Sequence, residues 1–93
     1  MLDKQGRITI KEDLLANATY VKRNGKVDVY LEPDKKRLHL NPSRITDETY
    51  FVGSCKMDEK GRIYMPSSIR SAFPNANFLP AERNGEIYIL IIE

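Results

Sequence analysis

Nine residues that occur twice decide how this chain folds. Leu2-Asp3-Lys4-Gln5-Gly6-Arg7-Ile8-Thr9-Ile10 aligns with Met57-Asp58-Glu59-Lys60-Gly61-Arg62-Ile63-Tyr64-Met65 at a constant offset of 55. Each copy runs apolar, Asp, two polar residues, Gly, Arg, Ile, polar, apolar. The agreement in type continues through Lys11–Ala18 against Pro66–Phe73. Self-similarity of this kind predicts two halves that share one core, since a segment of about 45 residues has too few apolar side chains to close a core alone. The expected organisation is a first repeat over 1–41, a linker over 42–55 and a second repeat over 56–93, together one domain.

Each half reads as strand, short helix, strands. Ile8-Thr9-Ile10 and Ile63-Tyr64-Met65 alternate as half-buried strands do, and Gly6 and Gly61 stand in the turns before them. The period then changes: Leu14 and Ala18, and likewise Ile69 and Phe73, lie four apart and form one apolar helical edge. Pro66 suits the first helical position, Ser67-Ser68 reads as a cap, and Pro74 stops the helix. These helices are expected to span about two turns and to depend on packing. Val27–Leu31 and Leu38–Leu40 form a hairpin across Pro33–Lys36, and Phe78–Arg83 and Glu86–Ile92 form another across Asn84-Gly85, whose sequence is a strong hairpin signal. Arg23-Asn24-Gly25 echoes Arg83-Asn84-Gly85 at an offset of 60 instead of 55. Either the second half carries about five extra residues, or the two Asn-Gly turns do different jobs. Tyr20–Arg23 is a further strand candidate, and Tyr50-Phe51-Val52 in the linker is a candidate for pairing or packing. The fold class expected is mostly β with short helices, in a pseudo-twofold arrangement.

Composition narrows the function. The chain has 93 residues, 41% hydrophobic and 30% charged, an ordinary profile for a globular protein. The longest apolar run, Ile87–Ile92, is far too short to span a membrane as a helix, and nothing after Met1 reads as a signal peptide, so a cytoplasmic location is the default. Cys55 is the one cysteine, which excludes an internal disulfide and a cysteine-based zinc site. The net charge is +2 but unevenly spread: residues 1–44 hold ten Lys/Arg against six Asp/Glu, and residues 45–93 hold five against seven. A locally basic face can meet a polyanion even when the whole chain is near neutral. A thin core is also compatible with a homo-oligomer.

The two copies of Asp-x-x-Gly-Arg, each followed by a strand and a short helix, resemble the AbrB/SpoVT superfamily of swapped-hairpin DNA-binding domains. Lys56–Arg70 is the closest stretch, and the tandem arrangement within one chain resembles the MraZ family. The resemblance implies an interlocked swapped-hairpin β-barrel in which two tandem repeats take the places of two chains. It implies a transcriptional regulator that binds double-stranded DNA in a sequence-specific way. Carried over by position, it assigns DNA contacts to Arg7, Arg62 and Arg70. Leu15 occupies the position in the first copy that Arg70 holds in the second, and Cys55 stands where AbrB-type members place an arginine, with Lys56 the nearest basic residue.

The residues support this reading in chemical terms. A guanidinium can hold a phosphate by two hydrogen bonds or read guanine in the major groove. Asp3 and Asp58, four residues before Arg7 and Arg62, would orient them; the rival role is a turn staple worth at most about 1 kcal/mol if exposed. Lys4, Lys11, Lys56 and Lys60 lie near the motifs as candidate phosphate contacts, with plain solubility as the alternative. Lys35-Lys36-Arg37 reads as a solvated hairpin tip. His39 should face away from Leu38 and Leu40 and has no partner at metal-ligand spacing, Cys55 reads as a small packing residue, and the five tyrosines read as core-edge residues in strands. No phosphate-binding glycine loop, metalloprotease motif or paired-acid constellation is present, so no cofactor, metal, small-molecule substrate or catalysis is expected. The alternative function is a protein-binding module such as a MazE-like antitoxin. That type carries an extended tail, whereas this chain stops at Glu93 after its last strand.

Overall fold

The repeated segments pair with each other. In the computed structural model, which describes residues 2–93, β1 (Arg7–Thr9) and β5 (Arg62–Tyr64) form a two-stranded antiparallel ribbon. Its register is Arg7↔Tyr64, Ile8↔Ile63 and Thr9↔Arg62. Ile8 and Ile63 are equivalent positions of the repeat, so a local twofold axis passes between them. The flanking hydrogen bonds obey the same symmetry: Ile10 N–H donates to the Gly61 carbonyl at 2.8 Å, and Met65 N–H to the Gly6 carbonyl at 2.9 Å.

The remaining strands are β2 (Lys26–Glu32), β3 (Arg37–Leu40), β4 (Tyr50–Lys56), β6 (Asn77–Arg83) and β7 (Glu86–Ile92). They form one antiparallel sheet in the order β4-β2-β3-β7-β6. The two expected hairpins, β2–β3 and β6–β7, are joined through β3–β7, with Leu38 opposite Ile89. Val27, Val29, Leu38, Leu40, Ile87, Ile89 and Ile91 alternate toward the interior and are buried. They meet Ile8 and Ile63 from the ribbon and Ile10, Met57, Met65 and Ile69 from the segments around it, forming one core cluster.

The expected closed barrel is not what forms. The ribbon strands have three residues each, and the chain leaves them at Ile10 and Met65 to enter helices, so no backbone pairing links ribbon to sheet. Side-chain packing makes that connection instead, and β4 and β6 remain edge strands.

Local outcomes follow from the same physics. The helices α1 (Glu12–Ala16) and α2 (Ser67–Ala72) are shorter than two full turns. Pro66 precedes α2 as its N-cap residue, with ψ 138°, and does not occupy the first helical position. Neither helix has a side-chain cap bond, so Ser67-Ser68 does not cap. Ile69 is buried, while Leu14, Leu15, Ala18 and Phe73 pack partly exposed against the core.

The two Asn-Gly turns do different jobs. Asn84 and Gly85, at φ 54° and 84°, close the β6–β7 hairpin as a type I′ turn. Asn24-Gly25 instead leads into β2 and docks on Met57: Asn24 N–H donates to the Met57 carbonyl at 2.8 Å, and Met57 N–H to the Gly25 carbonyl at 2.9 Å. Tyr20–Arg23 is not a strand. The segment between the repeats contributes a full strand, since β4 pairs along β2 with a register shift between Val29 and Tyr30.

Candidate nucleic-acid interface

Each Asp-x-x-Gly-Arg segment folds into the same hydrogen-bonded turn. Asp3 Oδ1 accepts the backbone N–H groups of Gln5 and Arg7, both at 2.9 Å, and Oδ2 accepts Arg7 Nε–H at 2.8 Å. Asp58 repeats this: Oδ1 accepts the N–H groups of Lys60 at 2.9 Å and Arg62 at 2.8 Å, and Oδ2 accepts Arg62 Nε–H at 2.6 Å. An aspartate is suited here because its short carboxylate folds back onto its own backbone two residues on. Gly6 and Gly61, both at φ 79°, complete the turns. The arginine backbone N–H, ahead of the guanidinium, holds each aspartate carboxyl below the usual carboxylate range.

The geometry answers how the arginines are used. Ile8 and Ile63 point into the core, so their strand neighbours Arg7, Thr9, Arg62 and Tyr64 project from the opposite, outer face of the ribbon. Arg7 and Arg62 are diagonal neighbours across the twofold axis, about 7–8 Å apart at the backbone. Their side chains retain 20% and 29% exposure. Both guanidinium groups bond to aspartate through Nε, and their outer terminal nitrogens make no hydrogen bond among the described residues. The staple role and an outward-facing role are therefore held by the same side chain.

The other candidates are distributed unevenly. Lys4 and Lys60 are exposed in the two turns. Lys11 is exposed at the start of α1, directly after Ile10. Arg70 is exposed on α2, and its guanidinium lies against the Gly6 turn, where an added Cβ would meet a terminal nitrogen at 2.9 Å. Lys56 sits apart from these, at the end of β4 opposite Lys26 in the five-stranded sheet.

Sequence reasoning missed a second charged cluster. Glu32, only 6% exposed, accepts from Arg37 Nε at 2.9 Å and bonds His39 Nε2 at 2.9 Å on the same oxygen. These partners hold its carboxyl below the usual range, with His39 the larger influence. Arg37 also lies over the Tyr88 ring at 5.7 Å. Within the basic run, Arg37 is engaged in this cluster, whereas Lys35 and Lys36 are exposed at the hairpin tip, Lys36 pairing with Glu93. The alternation that turned His39 outward also puts Glu32 and Arg37 opposite each other, and this was the available signal. Tyr20, Tyr50 and Tyr64 are more than half exposed, unlike core-edge residues. Cys55 packs against the core, and burial pushes its thiol up.

Among the described residues, no His, Cys, Asp and Glu side chains gather in a group able to hold a metal, and no helix is long and apolar enough to cross a membrane. No protein-family model matches the chain, and no curated protein or solved structure matches it either.

Proposed function

We propose that this chain is a non-catalytic, sequence-specific regulator of transcription that binds double-stranded DNA, with two tandem repeats interlocked in the AbrB/MraZ manner. One observation carries the reading: Arg7 and Arg62 emerge on a single outer face, related by a local twofold and each aimed by its own aspartate. A two-stranded β-ribbon fits a major groove about 12 Å wide. With Nε held by Asp3 or Asp58, the terminal nitrogens of each guanidinium remain to grip a phosphate or the edge of a guanine. Lys4, Lys11 and Lys60 would add phosphate contacts that set position without reading sequence. The swapped-hairpin reading draws on the way each Gly turn packs against the helix of the other half: Gly6 against Arg70, Gly61 against Leu15. Few arginines face the duplex, so an oligomer presenting several ribbons would raise affinity through effective concentration. Such a regulator would work in the cytoplasm, on the nucleoid.

A protein-binding module of the antitoxin kind is the second reading. It draws on Tyr50 and Phe51, 59% and 57% exposed on the edge strand β4, because exposed aromatic patches mark protein interfaces. Titration of the protein against random and promoter duplexes at two salt concentrations separates the two. DNA binding that weakens steeply with salt supports the regulator. Absence of binding at low salt, together with a stable complex with another protein, supports the module.

A further inference from the structure

The local twofold is geometrically close but chemically broken. Repeat positions 15 and 70 are equivalent at the offset of 55, yet one is Leu15 and the other Arg70. Each lies over the glycine turn of the opposite half. A Cβ on Gly6 would meet the Arg70 guanidinium at 2.9 and 3.2 Å, whereas a Cβ on Gly61 would meet the Leu15 side chain at 3.3 Å. The first turns of the helices differ in the same sense: Glu12 and Asp13 in α1 stand where α2 has Ser67 and Ser68. Arg23 pairs with Glu12, whereas Arg70 has no carboxylate within ion-pair distance among the described residues. The turn residues follow suit, with Lys4-Gln5 at the first and Glu59-Lys60 at the second.

From this we infer that the ribbon binds DNA with one end: Arg7 and Arg70, converging from different halves on the Gly6 turn, form a phosphate clamp that the Gly61 turn lacks. The inference rests on the DNA-binding reading above. Two guanidinium groups from different elements, Arg7 held through Nε by Asp3 and Arg70 exposed with free donors, can close on a phosphate together, and the neighbouring Lys4 adds a point charge. At the other end, the Gly61 turn meets a Leu15 methyl group where the Gly6 turn meets a guanidinium, and that turn itself carries Glu59. Gly6 and Ile10 are four residues apart along an extended strand, and Gly61 lies beside Ile10, so the ends are separated by about 13 Å. That spacing allows one end to hold a backbone while the other contributes little.

The test is a fluorescence titration of a short random-sequence DNA duplex with the wild-type chain and the variants Arg70→Ala, Arg7→Ala, Arg62→Ala and Leu15→Arg, each at several salt concentrations. Arg70→Ala is expected to weaken binding about tenfold and to reduce the salt slope by about 0.9, one phosphate contact. Arg7→Ala should lose several times more affinity than Arg62→Ala. Leu15→Arg should tighten binding and steepen the slope by a similar increment, since it rebuilds the clamp at the second end. A melting curve accompanies each variant, and if Leu15→Arg does not fold, the comparison of Arg70→Ala with wild type and of Arg7→Ala with Arg62→Ala decides. Wild-type affinity in Arg70→Ala, or equal losses in Arg7→Ala and Arg62→Ala, overturns the one-ended clamp while leaving DNA binding intact. A wild-type chain that binds no duplex at low salt overturns both.

Discussion

Replacing the two equivalent glycines by alanine should give unequal results, although both have φ 79°. Left-handed backbone costs an L-residue about 1–2 kcal/mol, partly offset by the smaller chain entropy of unfolded alanine, so about 1 kcal/mol is common to both. At Gly6 the new Cβ meets the tip of the Arg70 side chain, which can swing aside. At Gly61 it would meet the Ile10 carbonyl oxygen at 2.6 Å, which is backbone and can move only with the ribbon. That movement strains the bond from Ile10 N–H to the Gly61 carbonyl, adding about 1–2 kcal/mol. Gly6→Ala should therefore cost about 1 kcal/mol and Gly61→Ala about 2–3 kcal/mol. In urea, with a slope of about 1 kcal/mol per molar for a chain this small, the midpoints should fall by about 1 M and about 2–3 M. Equal shifts, or a near-neutral Gly61→Ala, would refute the close approach of the two halves at that turn.

Two further predictions concern the five-stranded sheet. The Glu32 carboxyl lies below its ordinary value of 4.5 when folded, so the unfolded chain takes up the proton first as pH falls. The stabilisation it provides is complete above that value and lost below it. Glu32→Gln should lower stability by about 2 kcal/mol at neutral pH and make the acid limb of a stability–pH curve shallower, without abolishing it because Asp3 and Asp58 titrate in the same direction. An unchanged acid limb would contradict this. Asn41 accepts the Asp28 N–H at 2.7 Å and donates to the Lys26 and Tyr20 carbonyls at 2.8 and 3.0 Å, so it ties the segment before β2 to the end of β3. Asn41→Ala should cost about 2 kcal/mol, a fall of about 10 °C in thermal midpoint, and a fall of under about 2 °C would show these bonds to be dispensable.

Much of the fold was legible because it follows from short-range rules. Both hairpins appeared where alternation met turn chemistry, and the two Asp-x-x-Gly-Arg segments are strands preceded by glycine turns. The repeat itself carried the longest-range information, since similar segments related by a twofold can pair through equivalent residues, as Ile8 and Ile63 do. The parts that escaped depend on neighbours remote in sequence. Strand β4 alternates weakly because none of its residues is fully buried and Gly53-Ser54 breaks its apolar pattern. Whether ribbon and sheet close into a barrel depends on where the chain turns after Ile10 and Met65, which periodicity does not encode. The candidate arginines were legible as residues and as motif partners. The crossing of Arg70 to the other half's turn was not, because only the packed structure brings position 70 beside position 6.

The double variant Arg7→Ala/Arg62→Ala decides whether a shared guanidinium face binds duplex DNA. Affinity for a promoter duplex and the thermal midpoint should be measured on the same samples. Binding should disappear while the midpoint moves by only a few degrees, as expected of partly exposed ion pairs. Retained binding, or a collapse of the fold that accounts for its loss, would make these arginines turn staples and nothing more.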